Sequence, residues 1–218
     1  MKTKNYLISA LLILGACIIF TSSCKKDDPV EAETGTVTDA DGNVYKTVKI
    51  GTQIWMAENL KTTKYHNGDA IPEVTGITEW GDLTTSAYCN YDNNAASATT
   101  YGRLYNWYAV NDSRNIAPSG WHIPTDADWE TLKTYLGGSD LAGGKLKEAG
   151  TGHWQSPNLG ATNESGFNAL PGGVRGLNGI FGYIGIFSIW WSANQYSDIY
   201  AYYWHVHYDD AALSHHDN

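Results

Sequence analysis

The chain has 218 residues carrying 14 basic and 23 acidic side chains, a formal net charge of -9. That length suits one domain with a real core plus a leader. An acidic chain with no basic cluster argues against nucleic acid as a partner, because phosphate binding needs Lys and Arg density.

The leader comes first. Lys2 and Lys4 precede an apolar run from Tyr6 to Phe20, then "TSSCKKDD". The run is too short and too near the terminus for a stable span, and small residues mark a cleavage point. Residues 1–23 therefore resemble a bacterial lipoprotein signal, with Cys24 as the acylated first residue of the mature chain. "LGAC", ending at Cys17, is the rival and has the better lipobox letters. Cutting there would leave the apolar Ile18, Ile19 and Phe20 on the mature end, so Cys24 is preferred. "CKKDDP" also resembles the lysine-plus-two-acids signal that sends lipoproteins of Bacteroidetes-type bacteria to the outer face of the outer membrane. Removing residues 1–23 leaves 12 basic and 23 acidic residues, a net charge of -11. Besides Cys24 the mature chain keeps only Cys89, so no internal disulfide framework is available, and Cys89 is expected as a small buried residue.

Residues 24–34 read as a flexible tether and 35–218 as the folded domain. "TVTDADGNVYKTVKIGTQIWM" predicts short strands joined by tight turns. Asp39, Asp41 and Asn43 look a little like the start of a calcium loop, but the distal glutamate is missing and Asp-Gly is a common hairpin turn. Residues 61–100 have little periodicity and predict a long irregular stretch, packed by Trp80 and Tyr88 or used as a binding surface. Tyr101, Leu104, Tyr105 and Tyr108 recur at helical spacing and predict a short helix ending near Asn111.

"GWHIPTDADWETL" at 120–132 reads as structural. Thr125 can cap a helix whose first turn carries Asp126 and Asp128, opposing the dipole. Trp129, Leu132 and Leu136 share its buried face and Gly137 ends it. Trp121 and Ile123 alternate with His122 and Pro124 as in a half-buried strand, and His122 has no ligand partner at a suitable spacing on its own face. Residues 139–149 predict a second helix with Leu141, Leu146 and Ala149, weakened by Gly143 and Gly144. The glycine-rich, aromatic stretch from 163 to 194 predicts strands with close backbone approaches. In "DIYAYYWHVHYDD", Tyr200, Tyr202, Trp204, Val206 and Tyr208 fall on one face, which must be buried. Tyr203, His205 and His207 fall on the other.

Six pieces in order ("DADGNVYKTVKIGTQIWMAENL", "AYCNYDNN", "YGRLYNWYAV", "APSGWHIPTDADWETL", "GFNALPGGVRG" and "WWSAN") resemble the Fibrobacter succinogenes major paralogous domain, found in secreted and lipoprotein chains of Bacteroidetes and related bacteria. "GWHIPTDADWE" is also similar to the "RLPTEAEWE" signature of formylglycine-generating sulfatase-modifying enzymes. The resemblance implies an α+β, C-type-lectin-like fold, with two short helices packed on small twisted antiparallel sheets and long irregular loops. It also implies a terminal strand reading roughly "GFSVRCV", where this chain has "SHHDN". A C-terminal strand, and a cysteine to pair with Cys89, are thus expected to be missing, leaving a neighbouring strand exposed.

The expected function is a non-catalytic binding module, anchored by lipid at the outer membrane and facing the cell surface. Its ligand is a glycan or a cell-surface protein, met by Tyr203, His205 and His207. No cofactor, metal or catalytic residue is expected. The alternative is an enzyme. The oxidative chemistry of the formylglycine-generating relatives needs cysteines in the C-terminal part of the domain, and no cysteine follows Cys89. A glycosidase carboxylate pair drawn from Glu58, Glu73, Glu79 and Glu164 stays open. So does a metal site at His205 and His207 with His215 or His216 downstream, against the blander reading of a polar strand face and a frayed tail.

Overall fold

A computed structural model describes residues 34–197 and 201–217. Cys17, Cys24, the tether up to residue 33 and Tyr200 lie outside the described residues. β1 (Thr34–Thr38), β2 (Val44–Ile50) and β3 (Gln53–Met56) form an antiparallel sheet in that order. The β1–β2 connection is a hairpin turn. Gly42 takes a φ of +85°, and the Asp39 carboxylate accepts the N–H groups of Asp41 and Asn43, each at 2.9 Å. β2 sends Tyr45, Val48 and Ile50 inward.

Residues 57–125 carry only short elements: α1 (Ile77–Gly81), β4 (Tyr88–Cys89), a 3-10 turn (Tyr91–Asn93), α2 (Ala95–Tyr101), β5 (Leu104–Tyr105) and α3 (Trp107–Val110). The single helix expected over 101–110 is not formed. Gly102 breaks it at φ +74°, where a Cβ would lie 2.7 Å from Asn59 Cβ and 2.8 Å from the Leu60 carbonyl. Leu104 and Tyr105 instead pair with β4. Asn106 restarts the chain as α3 by accepting the Ala109 N–H at 3.1 Å. Tertiary bonding has overridden an apolar period too short to nucleate a helix alone.

α4 (Asp126–Tyr135) has the expected capping box, with the Thr125 hydroxyl accepting the Asp128 N–H and the Asp128 carboxylate accepting the Thr125 N–H. Gly137 follows the helix at φ +102°. Residues 121–124 belong to no strand, a correction to the half-buried strand read there. Their alternation marks an extended segment tied to the sheet by Ala193 N–H donating to the Pro124 carbonyl at 2.8 Å. α5 (Ser139–Leu146) contains the two glycines expected to weaken it. Both are needed for close approach: a Cβ on Gly143 would lie 2.0 Å from the Ala212 carbonyl oxygen, and one on Gly144 would lie 2.3 Å from that of Gly160. Leu141 is exposed rather than inward, and Ala142 takes the core position.

β6 (Gly172–Arg175) pairs with β7 (Phe181–Ile184). β8 (Phe187–Gln195), β9 (Ala201–His207) and β10 (Ser214–Asp217) form an antiparallel sheet in the order β10-β9-β8. The frayed tail is therefore overturned. Ser214–Asp217 is a strand that flanks β9 opposite β8, so β8 and β10 are the outer strands of this three-stranded sheet. Leu213 anchors the return, being 2% exposed and donating its N–H to the Ser139 carbonyl at 2.9 Å. The whole is α+β, with few helices and several small antiparallel sheets.

The main core gathers Val48, Ile50, Trp55, Leu132, Leu136, Leu146, Trp154, Phe167 and Val206 around Trp129. The Trp129 ring stacks on Trp204 at 5.9 Å and meets Trp55 at 4.9 Å. Trp204 and Val206 are both fully buried, as the alternation of this strand requires. Two smaller clusters lie under the loops, one on Tyr65, Ile71 and Ile116, the other on Trp80, Ala87 and Cys89.

Candidate functional site

β8 and β9 set up the site by their register. Phe187 pairs with His207, Ile189 with His205 and Trp191 with Tyr203, so these six side chains share the sheet face turned away from Trp204 and Val206. Tyr203, His205 and Trp191 line a cleft of about 1130 Å³, together with Trp107 of α3, Trp121, Trp190 and Asn59. Trp190 and Trp191 are consecutive, so they reach the cleft from opposite faces of β8.

Hydrogen bonds fix the rings. The Trp191 indole N–H donates to the Tyr105 carbonyl at 2.9 Å, and that of Trp190 to Asn59 Oδ1 at 3.2 Å. Asn59 Nδ2 donates in turn to the Tyr101 carbonyl at 2.9 Å. Trp107 lies 5.8 Å from Trp191, centroid to centroid, at an interplanar angle of 53°. It is placed by Asn106, which caps α3 and holds the Thr85 carbonyl and Ala87 N–H at 2.8 and 3.0 Å.

Most charged groups of the wall are already engaged. Glu58 accepts the Lys46 N–H at 3.0 Å and lies 3.9 Å from the Lys61 ammonium. Asp128 serves Thr125 and lies 3.1 Å from His122 Nε2, which gives His122 the partner that its spacing did not reveal. Arg103 donates from Nη1 to the Lys61 carbonyl, while its Nε is buried without a partner among the described residues. Arg175 is clamped on the carbonyls of Val74, Thr75, Gly76 and Gly179 at 2.6–3.0 Å, with Trp80 and Phe181 at 4.6 and 4.7 Å from its guanidinium.

A profile of the Fibrobacter succinogenes major domain family matches residues 48–215. The chain belongs to that family. No curated protein and no solved structure matches it. In this Fibrobacter succinogenes major domain the matched span includes every residue of the cleft wall.

The residues singled out from sequence separate on the structure. Tyr203 and His205 line the cleft. His207 shares their face outside its lining, with its Nδ1 on the Asp209 carboxylate and its ring 4.2 Å from Phe187. His205 is half-buried, and its Nδ1 is buried without a hydrogen-bond partner among the described residues. Burial, with His216 and His207 nearby, pulls its pKa down to about 4, so the imidazole is neutral near pH 7. His216 stacks on it at 5.0 Å. His215 points to the opposite face, its Nε2 3.3 Å from the Asp126 carboxylate. The histidines thus do not converge on one ion.

The donor atoms of His207, Asp209 and Asp210 do lie within 4.8 Å of one another. The fully buried Lys147 occupies their surroundings as a cation, its ammonium donating to the carbonyls of Leu159, His207 and Asp210 at 2.9, 2.8 and 2.7 Å. Burial pulls Lys147 down to about 8, against the opposing fields of Asp210 and Asp209.

Of the four glutamates considered as an acid pair, only Glu58 lines the cleft. Glu73 accepts from Asn90 at 2.9 Å, Glu164 pairs with Lys145 at 2.8 Å, and Glu79 sits in the first turn of α1. Cys89 is fully buried, and burial pushes its thiol up to about 11. Sequence reasoning missed Trp107, Asn59 and Lys147. The "YNWY" run was the signal for the first, since Trp after a capping Asn is displayed at a helix start. Nothing local marks Lys147, whose partners are 12 to 63 residues away.

Proposed function

We propose that this chain is a surface-anchored bacterial lipoprotein whose domain is a non-catalytic, C-type-lectin-like binding module for a glycan or protein ligand. The aromatic cleft carries the reading. Its rings are locked in place while most charged groups beside them are tied to the protein's own partners, an arrangement that holds a ligand rather than transferring protons to it. Few and short helices, small antiparallel sheets and a long loop region are in keeping with a lectin-like scaffold, on which function lies in the loops. Among the described residues no helix is long and apolar enough to cross a membrane, and acylation at Cys24 supplies the attachment to the outer membrane.

Two measurements test this reading. Metabolic palmitate labelling should vanish in Cys24→Ala, whereas continued labelling would move the site to Cys17. Protease shaving of whole cells should remove the domain; protection, with a known surface protein digested in the same cells, would place it inside. Turnover of any bound ligand, such as release of reducing ends from a polysaccharide, would contradict the non-catalytic part and restore the enzyme alternative.

A further inference from the structure

We infer that the cleft takes a neutral carbohydrate, with Trp107 and Trp191 as stacking platforms and His205 as the hydrogen-bond contact to a sugar hydroxyl. This rests on the binding-module reading and narrows its ligand. A pyranose ring offers a flat C–H face and an edge of hydroxyls, and the cleft offers matching surfaces. Trp107 and Trp191 are both half-buried, so part of each ring is open toward the cleft. Both are fixed before a ligand arrives, Trp191 by its bond to the Tyr105 carbonyl and Trp107 by the Asn106 cap. Such preorganisation lowers the entropy cost of binding.

His205 selects among ligands with apolar faces. Its ring lines the cleft and its Nδ1 is buried without a hydrogen-bond partner among the described residues, which costs free energy until the ring turns that nitrogen toward a ligand in the cleft. The ring is neutral near pH 7, so it has one donor and one acceptor nitrogen. A hydroxyl, itself both donor and acceptor, satisfies either tautomer. A proline-rich peptide could also lie on such rings, but its backbone offers mainly carbonyl acceptors. Glu58 lies beside Lys61, Asp128 beside His122, and Arg175 is taken up by four carbonyls. That leaves Arg103 as the cation of the wall that an anionic ligand would have to use, and binding of polygalacturonate tests that. At about 1130 Å³ the cleft exceeds the roughly 300–1,000 Å³ of small-molecule sites, which favours an oligosaccharide over one sugar unit.

The test is affinity electrophoresis of the full chain in native gels containing hydroxyethylcellulose, xyloglucan, galactomannan or glycogen. Polygalacturonate gels and a fluorescent proline-rich peptide form two further arms. At least one neutral polysaccharide should retard the protein. Trp191→Ala, Trp107→Ala and His205→Ala should each weaken that binding roughly tenfold, while Leu159→Ser, on an exposed side chain outside the cleft, should not. Near-UV circular dichroism identifies any variant that fails to fold. Trp107, in a one-turn helix, serves if Trp191→Ala does fail. Retardation unchanged in folded variants would overturn the site. Binding confined to polygalacturonate or the peptide would overturn the ligand class and leave the binding module standing. Binding in no arm would overturn both.

Discussion

Around Trp129 the backbone is held by strand ladders and one well-capped helix, with side chains free to pack as a hydrocarbon core. From Asn59 to Trp121 the order is reversed: ladders are two residues long, and side chains hold the backbone. Arg175 grips three carbonyls there, at Val74, Thr75 and Gly76, Asn106 ties the Thr85–Ala87 segment to the start of α3, and Asp41 accepts the N–H and hydroxyl of Thr63. The first region stores stability in burial. The second stores it in directional bonds that fix rings at the mouth of a cleft, which a binding surface needs.

Substitutions can separate the two. Trp129→Ala should cost roughly 3–5 kcal/mol, the range for large aromatics removed from a core, and chemical denaturation should show it as a global loss. Arg175→Met should cost less, about 2–3 kcal/mol, because carbonyls lose donors that water can partly replace. Its signature should be local, with faster amide hydrogen exchange at residues 74–89 and little change in α4. A uniform rise across both regions would mean that they unfold as one.

Thr125→Ala should cost about 1 kcal/mol by deleting the cap of α4, measured as a shift in urea midpoint at constant slope. The smallest effect concerns acid. Burial alone would raise the Asp41 carboxyl, but its bonds from Thr63 and the nearby Lys64 outweigh that and hold it below the usual range. A depressed carboxyl stabilises the fold above its unfolded pKa of about 4, and that contribution is lost as pH falls through the lower folded value. Asp41→Asn should therefore flatten the loss of stability below about pH 4 while lowering stability at pH 7. An unchanged acid limb would remove Asp41 from the account.

The same contrast explains what the sequence revealed. The cap at Thr125, the stripe of Trp129 and Leu132, and the alternation through Trp204 and Val206 are local patterns with a fixed period, and the structure carries all three. The helix read over 101–110 failed because Gly102 makes contact with Asn59, 43 positions away in the chain, and no period records that. Gly143 and Gly144 looked like defects for the same reason, since the carbonyls that crowd them come from residues 212 and 160. At the candidate site, the shared face of Tyr203, His205 and His207 was legible from alternation alone. The other wall was not, because Trp107 and Asn59 reach it through loops whose course is set by side chain to backbone bonds.

The indole N–H resonances test the division of labour most directly, because tryptophans stand in both regions. A ¹H–¹⁵N spectrum should be followed while oligosaccharides from the polysaccharide that retards the protein are added. The account predicts saturable shifts for Trp107 and Trp191, smaller ones for their neighbours Trp121 and Trp190, and none for the buried Trp129, Trp154 and Trp204. Shifts confined to the buried three, or a titration that leaves Trp107 and Trp191 unmoved, would contradict it.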